Sequence, residues 1–284
     1  MTFEEIIQQI LLHYPEVTRE TVLERLRVEK GKTGGLIADA TLLRLIAAEY
    51  GVEIPSGTVY DSKLSINHLV PELNDVTVSG RVVAVYPAKT FGGKKPGKYA
   101  GLVIVDADGL LRVMLWNAKA DLVESGFLKT GQVVRFSHSY TRTNRNGKVE
   151  LHLGDKSEVE VNPQDLRVES FPDISRFATE IKEIREAQGS VNLVGVVRRV
   201  FPSSTFARRG SLTGKVLRFT LADDSGEVTV VVWNEKADDL EPQLKCKMMV
   251  ELVNGLVRAA SNGGFEVHVG SAGYVRVSAI TAEV

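Results

Sequence analysis

Apolar and polar residues alternate along several short stretches over most of the chain, and this period of two predicts β-strands. In residues 112–116 (RVMLW) and 229–233 (TVVVW), the second and fourth positions form one apolar face. We expect that face to pack against a core. The opposite face ends in Trp116 or Trp233, which predicts that both indoles lie on the outside of the sheet.

Turn sequences and one helical stretch separate the predicted strands. Residues 117–128 and 234–244 lose the period of two and predict a helix after the third strand of each series. The resulting order of three strands, a helix and two strands is typical of a small closed barrel of the OB type. The predicted hairpin turns are Asp108-Gly109, Asn146-Gly147, Asp224-Ser225-Gly226 and Asn262-Gly263-Gly264.

The pattern occurs twice in the same order. Residues 76–91 (VTVSGRVVAVYPAKTF) match residues 191–206 (VNLVGVVRRVFPSSTF). Ordered coincidences of this kind indicate a duplicated domain of roughly a hundred residues rather than a short solenoid repeat. The matched pairs include Gly80/Gly195, Pro87/Pro202, Phe91/Phe206, Gly109/Gly226, Trp116/Trp233, Asn117/Asn234 and His152/His268.

Residues 2–50 show the three- and four-residue apolar spacing of short amphipathic helices. Thr2 and Thr18 are the expected N-caps, and glycines from Gly31 onward and at Gly51 are the expected helix ends. Three such helices predict a small bundle. A structural cap and a protein-docking module are equally consistent with it.

These patterns predict a mainly β protein with two tandem OB-fold five-stranded barrels preceded by a small N-terminal helical bundle. The expected domains are residues 1–56, 60–163 and 174–284, with a linker at Pro55-Ser56-Gly57. Residues 162–190 predict a connector that contains one helix.

Composition and charge limit the function classes. The chain is 43% hydrophobic and has one cysteine, Cys246, which predicts an intracellular protein without an internal disulfide or a thiolate zinc cluster. Its apolar runs are too short to predict a membrane span. Charge is unevenly distributed: residues 1–75 carry 7 Lys+Arg and 12 Asp+Glu, whereas residues 76–161 carry 13 and 8. A basic first repeat behind an acidic front end indicates a polyanionic partner for the repeat.

The repeated motif, V-x-G-x-V-x-x-V-x-P-x-x-x-F followed by V-x-L-W-N-x-x-A-D, resembles archaeal replication protein A over about residues 60–284. The helical front end also resembles the N-terminal region of that family. The resemblance implies sequence-tolerant binding and protection of single-stranded DNA in replication, recombination and repair. It implies no enzymatic activity and a cytoplasmic, nucleoid-associated location, with replication and repair proteins as partners of the N-terminal helices. The alternative is an OB-fold RNA-binding or protein-interaction scaffold.

The residues themselves support a nucleic-acid interface. An exposed indole on a barrel wall is a stacking platform for bases, and we favour this over the alternative that each Trp closes one end of the core. Cations interleaved with aromatic rings in the same loops of both repeats are typical of a groove that follows phosphates, whereas a solvated basic loop is the weaker interpretation. The candidate DNA-binding residues are Lys89, Phe91, Lys94, Lys95, Lys98, Arg112, Trp116, Tyr140, Arg142 and Arg145 in the first repeat, and Arg198, Arg199, Phe206, Arg208, Arg209, Lys215, Arg218, Trp233, Arg258 and Phe265 in the second.

The arginine-rich loop of the second repeat predicts that this barrel depends more on stacking and the first more on charge. No catalytic residue, metal site or cofactor is expected. His152 and His268 recur with only Glu150 and Glu266 nearby, which favours surface histidines over metal ligands.

Overall fold

The computed structural model describes residues 3–32, 39–52, 65–93, 95–185, 189–207, 213–261 and 263–279. The chain divides into two compact units, Met1–Ser62 and Lys63–Val284. In the described ranges, no helix is both long and apolar enough to cross a membrane.

The first unit is the predicted three-helix bundle, with α1 at Phe3–His13, α2 at Arg19–Lys32 and α3 at Asp39–Glu49. Its core contains Ile6, Ile10, Leu43 and Ile46. The backbone N–H of Thr21 donates to Thr18 Oγ1 at 3.3 Å, the expected cap at the start of α2.

The prediction that Gly31 ends the second helix is wrong, because α2 continues through Lys32. A single glycine costs a helix only about 1 kcal/mol relative to alanine, so a helix can continue past it. Gly51 follows the last helix with a φ of 71°, as expected of a glycine stop. Thr2, Gly34, Gly35 and the predicted linker at residues 55–57 lie outside the described residues.

The second unit begins with a closed barrel. Each strand hydrogen-bonds to the next around the ring β1-β2-β3-β5-β4, and β4 pairs with β1 to close it. A 3-10 turn at Asn117–Lys119 and the short helix α4 fill the position of the predicted helix. The elements are β1 (Val76–Phe91), β2 (Gly97–Val105), β3 (Leu110–Trp116), α4 (Asp121–Glu124), β4 (Val133–Thr143), β5 (Val149–Leu153) and β6 (Glu158–Val161).

A second barrel follows the same plan, closed through β7-β9-β10-β12-β11, and the predicted fold class of two OB-type barrels after a helical bundle is confirmed. Strands beyond the expected five lie at the edges: β6 pairs with β4 in the first barrel, and β13 pairs with β11 and β8 with β9 in the second. The elements are β7 (Ser190–Val200), β8 (Ser204–Ala207), β9 (Thr213–Ala222), β10 (Glu227–Trp233), α5 (Glu235–Leu240), β11 (Met249–Ala259), β12 (Phe265–Val269) and β13 (Tyr274–Ser278).

The glycine of the V-x-G motif is needed for close strand approach. A Cβ atom at Gly80 would lie 2.9 Å from the carbonyl oxygen of Val105, and one at Gly195 would meet the carbonyl oxygen of Ala222. Because backbone atoms cannot move aside easily, this position of the motif supports the barrel rather than the ligand.

The aspartates at the hairpin turns hold backbone groups, as the sequence predicts. In the second barrel, Asp223 accepts hydrogen bonds from the backbone N–H groups of Ile181, Ser225 and Gly226 at 2.7–3.0 Å. Burial alone would raise the pKa of Asp223, but these bonds and the Ser225 hydroxyl hold it below its usual value. Asp106 makes the same contacts with Ile66 and Gly109 in the first barrel.

The connector is not the single helix that the sequence predicts. It contains 3-10 turns at Val168–Ser170, Ile174–Phe177 and Ile181–Glu183. The turn at Ile174–Phe177 contacts β7 and β11, whereas the turn at Ile181–Glu183 contacts β10. Arg81 of β1 donates to the carbonyl oxygens of Phe171 at 2.9 Å and Val168 at 2.7 Å.

The two barrels share a small apolar core where β1 of the first faces β13 and β11 of the second. It contains Val83, Tyr86, Ile174 and Val253, with Tyr274 packed against it. The rings of Tyr86 and Tyr274 meet edge to face, with centroids 6.1 Å apart. The barrels therefore contact each other directly.

Candidate nucleic-acid interface

Five rings lie together on the outer wall of the first barrel. This first aromatic cluster consists of Phe91, Tyr99, Trp116, Tyr140 and His152. Trp116 is central, since its ring centroid lies 6.0 Å from Phe91, 5.9 Å from Tyr99 and 5.9 Å from His152. His152 in turn stacks on Tyr140 at 5.3 Å. The cluster presents several aromatic groups side by side, as a track for stacked bases requires.

Strand pairing explains why these residues meet. Tyr99 of β2 pairs with Trp116 at the end of β3, and Tyr140 of β4 pairs with His152 of β5. Because β3 and β5 run in parallel, His152 comes beside the indole. Both tryptophans are half-buried, whereas the alternating Val113 and Leu115 are fully buried in the barrel core. The tryptophans thus lie in the outer wall, on the face predicted by the alternation.

The second barrel carries a smaller version, the second aromatic cluster, made of Phe206, Trp233 and His268. Phe206 meets Trp233 edge to face at 5.7 Å, and His268 lies 5.8 Å from the indole. Val216 pairs with Trp233 where the first barrel has Tyr99, and Leu256 pairs with His268 where it has Tyr140. Among the described residues, three rings therefore cluster in the second barrel against five in the first, and the division between stacking and charge that arginine content predicts stays a prediction.

The recurring histidines orient the tryptophans. Trp116 Nε1 donates to His152 Nδ1 at 3.0 Å, and Trp233 Nε1 donates to His268 Nδ1 at 3.2 Å. Burial lowers the pKa of His152, although Glu150 opposes the shift, and this favours the neutral ring that can accept the bond. Sequence reasoning set these histidines aside as surface residues. Each histidine recurs together with a tryptophan in both repeats, and this recurrence is the sequence signal that links the histidines to the candidate interface.

Two candidate lysines are held in ion pairs. Lys98 contacts Asp121 and Glu124 of α4, and its pKa is raised by the hydrogen bonds to these carboxylates. Lys215, at the equivalent position, lies 2.7 Å from Asp238 and 2.6 Å from Glu241. Both lysines tie a strand to the following helix. We therefore assign them a structural role and omit them from the proposed phosphate contacts.

Each phenylalanine of the clusters lies over a glycine of the neighbouring strand. Phe91 pairs with Gly97, and Phe206 pairs with Gly214. A Cβ atom at Gly97 would lie 2.6 Å from Phe91 Cζ, and one at Gly214 would collide with the ring of Phe206. The missing side chain gives each ring space to lie flat on the hairpin and reach the tryptophan.

The other candidates differ in their surroundings. Arg142 lies 4.9 Å from the centre of the Tyr140 ring and 3.1 Å from Glu72. Arg112 is half-buried above the Tyr86 ring, with its guanidinium 5.7 Å from the ring centre. The described candidates with exposed side chains are Lys89, Lys95, Arg145, Arg198, Arg199, Arg218 and Arg258.

Phe265 lies apart from the second aromatic cluster. Its side chain packs against the core of the second barrel, on the same side of β12 as Val267 and Val269. The sequence placed it in a late loop, whereas the structure begins β12 at this residue with the ring turned inward. Lys94, Arg208 and Arg209 lie outside the described residues.

A cleft of about 870 Å³ lies between the two barrels. Its lining includes Tyr99 of the first aromatic cluster and Trp233 of the second. Lys89, Arg112 and Lys236 also line it, and Lys236 had not been singled out from the sequence. The cleft therefore connects the two aromatic surfaces through a region with several cations.

Comparisons with known proteins agree with this geometry. Residues 191–272 match a family of OB-fold nucleic acid binding domains, the tRNA anti-codon family. Replication factor A of Methanothermobacter thermautotrophicus (strain Delta H) is 30% identical over 165 residues, which are 58% of this chain and 20% of that relative. The match thus spans about a fifth of the relative's length.

Among solved structures, a replication protein A heterotrimer bound to ssDNA superposes with a TM-score of 0.55 at 16% identity, over 77% of this chain and 52% of the other. At that identity the likeness shows the fold. Together with the relative and the family match, it confirms the resemblance to archaeal replication protein A that the repeated motif predicts.

Proposed function

We propose that this chain binds single-stranded DNA with little sequence preference and uses both barrels on one strand. The observation that carries the proposal is the same group of phenylalanine, tryptophan and histidine on the outer wall of each barrel. Stacking on aromatic side chains contributes about 1–3 kcal/mol per base and suits any base, since every base has a π-face.

Charge supports the same function. Residues 76–161 carry 13 Lys+Arg against 8 Asp+Glu, and the exposed Lys89, Lys95 and Arg145 lie in that range. If these cations contact phosphates, binding releases counterions. The logarithm of affinity should then fall against the logarithm of salt concentration with a slope of about −0.7 for each phosphate contacted.

The test is a titration of the intact protein with oligo-dT, oligo-rU and a duplex of equal length at two salt concentrations. We expect tight, salt-sensitive binding of oligo-dT and much weaker binding of the duplex, whose paired bases cannot reach the rings. Equal or tighter binding of oligo-rU would instead support an RNA-binding protein. Absence of binding to all three ligands would support a protein-interaction scaffold.

We place this activity in DNA replication, recombination and repair, in a cytoplasmic protein associated with the nucleoid. Such a protein acts by covering the strand rather than by catalysis. The helical unit is acidic, with residues 1–62 carrying 10 Asp+Glu against 6 Lys+Arg, and so repels DNA. This favours replication and repair proteins as its partners.

A further inference from the structure

Lys236 occupies an unusual position for a lysine. It begins on α5 of the second barrel and lies in the cleft with its ammonium group 5.5 Å from the centre of the Tyr86 ring of the first barrel. Its Nζ donates to the carbonyl oxygens of Gly273 and, at 3.4 Å, Ser271. Two carbonyl oxygens thus hold the ammonium group of Lys236 in place, and neither carries a negative charge that would balance it.

A second cation faces it from the other barrel. Lys89 of β1 lines the same cleft, and its charge repels that of Lys236. No ion pair of either lysine occurs among the described residues, and no carboxylate raises the pKa of Lys236. Two like charges from separate barrels therefore meet across a cleft where an anion would relieve their repulsion.

The other charged groups around the cleft are already paired or lie at its rim. Arg276 of β13 contacts Glu251 through Nε at 2.9 Å, and Arg112 of β3 lies 3.4 Å from Glu150. The Nε atom of Arg112 is nevertheless buried without a hydrogen-bond partner. The remaining ionisable residues that line the cleft are Tyr86, Tyr99, Tyr274, Glu235 and Asp239, of which the two carboxylates are exposed.

We propose that this cleft binds a backbone phosphate of the DNA strand at the point where the strand passes from the first barrel to the second. Lys236 and Lys89 hold it from opposite sides. The inference rests on the proposed function, since the cleft lies between Tyr99 and Trp233 and a strand that stacks on both clusters crosses it. The site is thus a junction contact that neither barrel forms alone.

The site should give binding a characteristic pH dependence. Burial, and secondarily repulsion by Lys89, lowers the pKa of Lys236 to about 8. A bound phosphate favours the charged form and raises that pKa again. The contact is therefore fully present below pH 8 and weakens as pH rises above it, by up to tenfold per pH unit until the pKa of the complex is reached. Burial raises the pKa of Tyr86 to about 12, so its hydroxyl does not titrate in this range.

The experiment measures oligo-dT binding by the full chain between pH 7 and pH 9.5. It compares an oligonucleotide long enough for both barrels with one that fits a single barrel. The variants are Lys236→Gln, which removes the charge, and Lys236→Arg, which makes it permanent. Lys119→Gln is the matched control, because Lys119 holds the equivalent position in the first repeat and is not among the residues that line the cleft.

On the long oligonucleotide, we expect Lys236→Gln to lose about fivefold to tenfold in affinity at pH 7 and to lose the decline above pH 8. Such a loss equals about 1.0–1.4 kcal/mol, in the range of one ordinary hydrogen-bonded contact. Lys236→Arg should keep the affinity at pH 7 without the decline. Lys119→Gln should keep the decline, and the short oligonucleotide should show none.

The inference fails if wild-type protein binds long oligo-dT while Lys236→Gln retains both its affinity and its pH dependence. It also fails if Lys236→Arg declines above pH 8 as the wild type does. In both cases the proposed function stands. If the wild type does not bind oligo-dT at all, the proposed function is wrong and the inference falls with it.

Discussion

At the scale of single residues, the tryptophans are positioned by their neighbours rather than by the core. Trp116 and Trp233 each donate a hydrogen bond from Nε1 to a histidine on the adjacent parallel strand. This bond fixes the ring plane before any ligand arrives. An ordered ring loses little further conformational entropy when a base stacks on it, which favours binding.

Replacing either tryptophan should therefore weaken binding without unfolding the protein. For Trp116→Ala and Trp233→Ala we expect losses of about 1–3 kcal/mol in single-strand affinity, measured by anisotropy of a labelled oligo-dT. Phe127→Ala is the matched control, since Phe127 is an exposed ring of the first barrel outside the cluster. Loss of the circular dichroism signal or of cooperative melting in a Trp variant would show that the residue belongs to the core instead.

Sequence reasoning identified some of these residues and not others for a physical reason. Alternation along a strand fixes which side a residue faces, and it placed both tryptophans correctly. It does not show which strands become neighbours. The roles of His152 and Lys98 depend on pairings with β3 and α4, and Lys236 gained its role only from the contact between barrels.

At the scale of elements, the β8–β9 hairpin forms an aromatic contact that depends on a glycine. A methyl group at Gly214 would occupy the space of the Phe206 ring, and all three of its nearest atoms belong to that ring. A side chain at the end of a hairpin moves more easily than backbone. Gly214→Ala should consequently displace Phe206 from Trp233 and leave the barrel folded.

A double-mutant cycle can separate an effect of Gly214→Ala through the Phe206 ring from an effect through the backbone. We expect Gly214→Ala to weaken oligo-dT binding by an amount similar to or smaller than the loss of about 1–3 kcal/mol expected for Phe206→Ala. In the Phe206→Ala background, Gly214→Ala should have almost no further effect, because the ring it displaces is gone. Additive losses would mean that Gly214 acts through the backbone and not through the ring.

Prediction from the sequence succeeds for the long strands and for their order. The long strands and the duplicated order are visible in the sequence because each repeat buries one face of its strands. The edge strands are four and five residues long, and the alternating EVEV of β6 was too short to stand out. The helix prediction for the connector was wrong because its apolar residues belong to two different cores. Ile174 and Phe177 pack into the core between the barrels, whereas Ile181 and Ile184 pack into the core of the second barrel.

At the scale of the whole molecule, the acidic helical unit is separate from the unit that carries the aromatic clusters. Removing residues 1–62 should leave oligo-dT affinity within a factor of a few, and loss of its negative charge should favour slightly tighter binding at low salt. Titration of the truncated and full chains at two salt concentrations checks this. A large loss of affinity in the truncated chain would place part of the DNA site in the helical unit.

The proposal that both barrels bind the same DNA strand can be tested with the chain's own fluorescence. The sequence contains two tryptophans, one in each aromatic cluster. Trp116→Phe and Trp233→Phe therefore each leave a single fluorescent reporter in one barrel. The measurement is a titration of both variants with an oligo-dT long enough for both barrels, with anisotropy of the labelled oligonucleotide recorded in parallel. If one strand binds both barrels, both indoles should be quenched together, with midpoints that coincide with the anisotropy change. Binding that leaves either tryptophan unquenched would contradict the proposal.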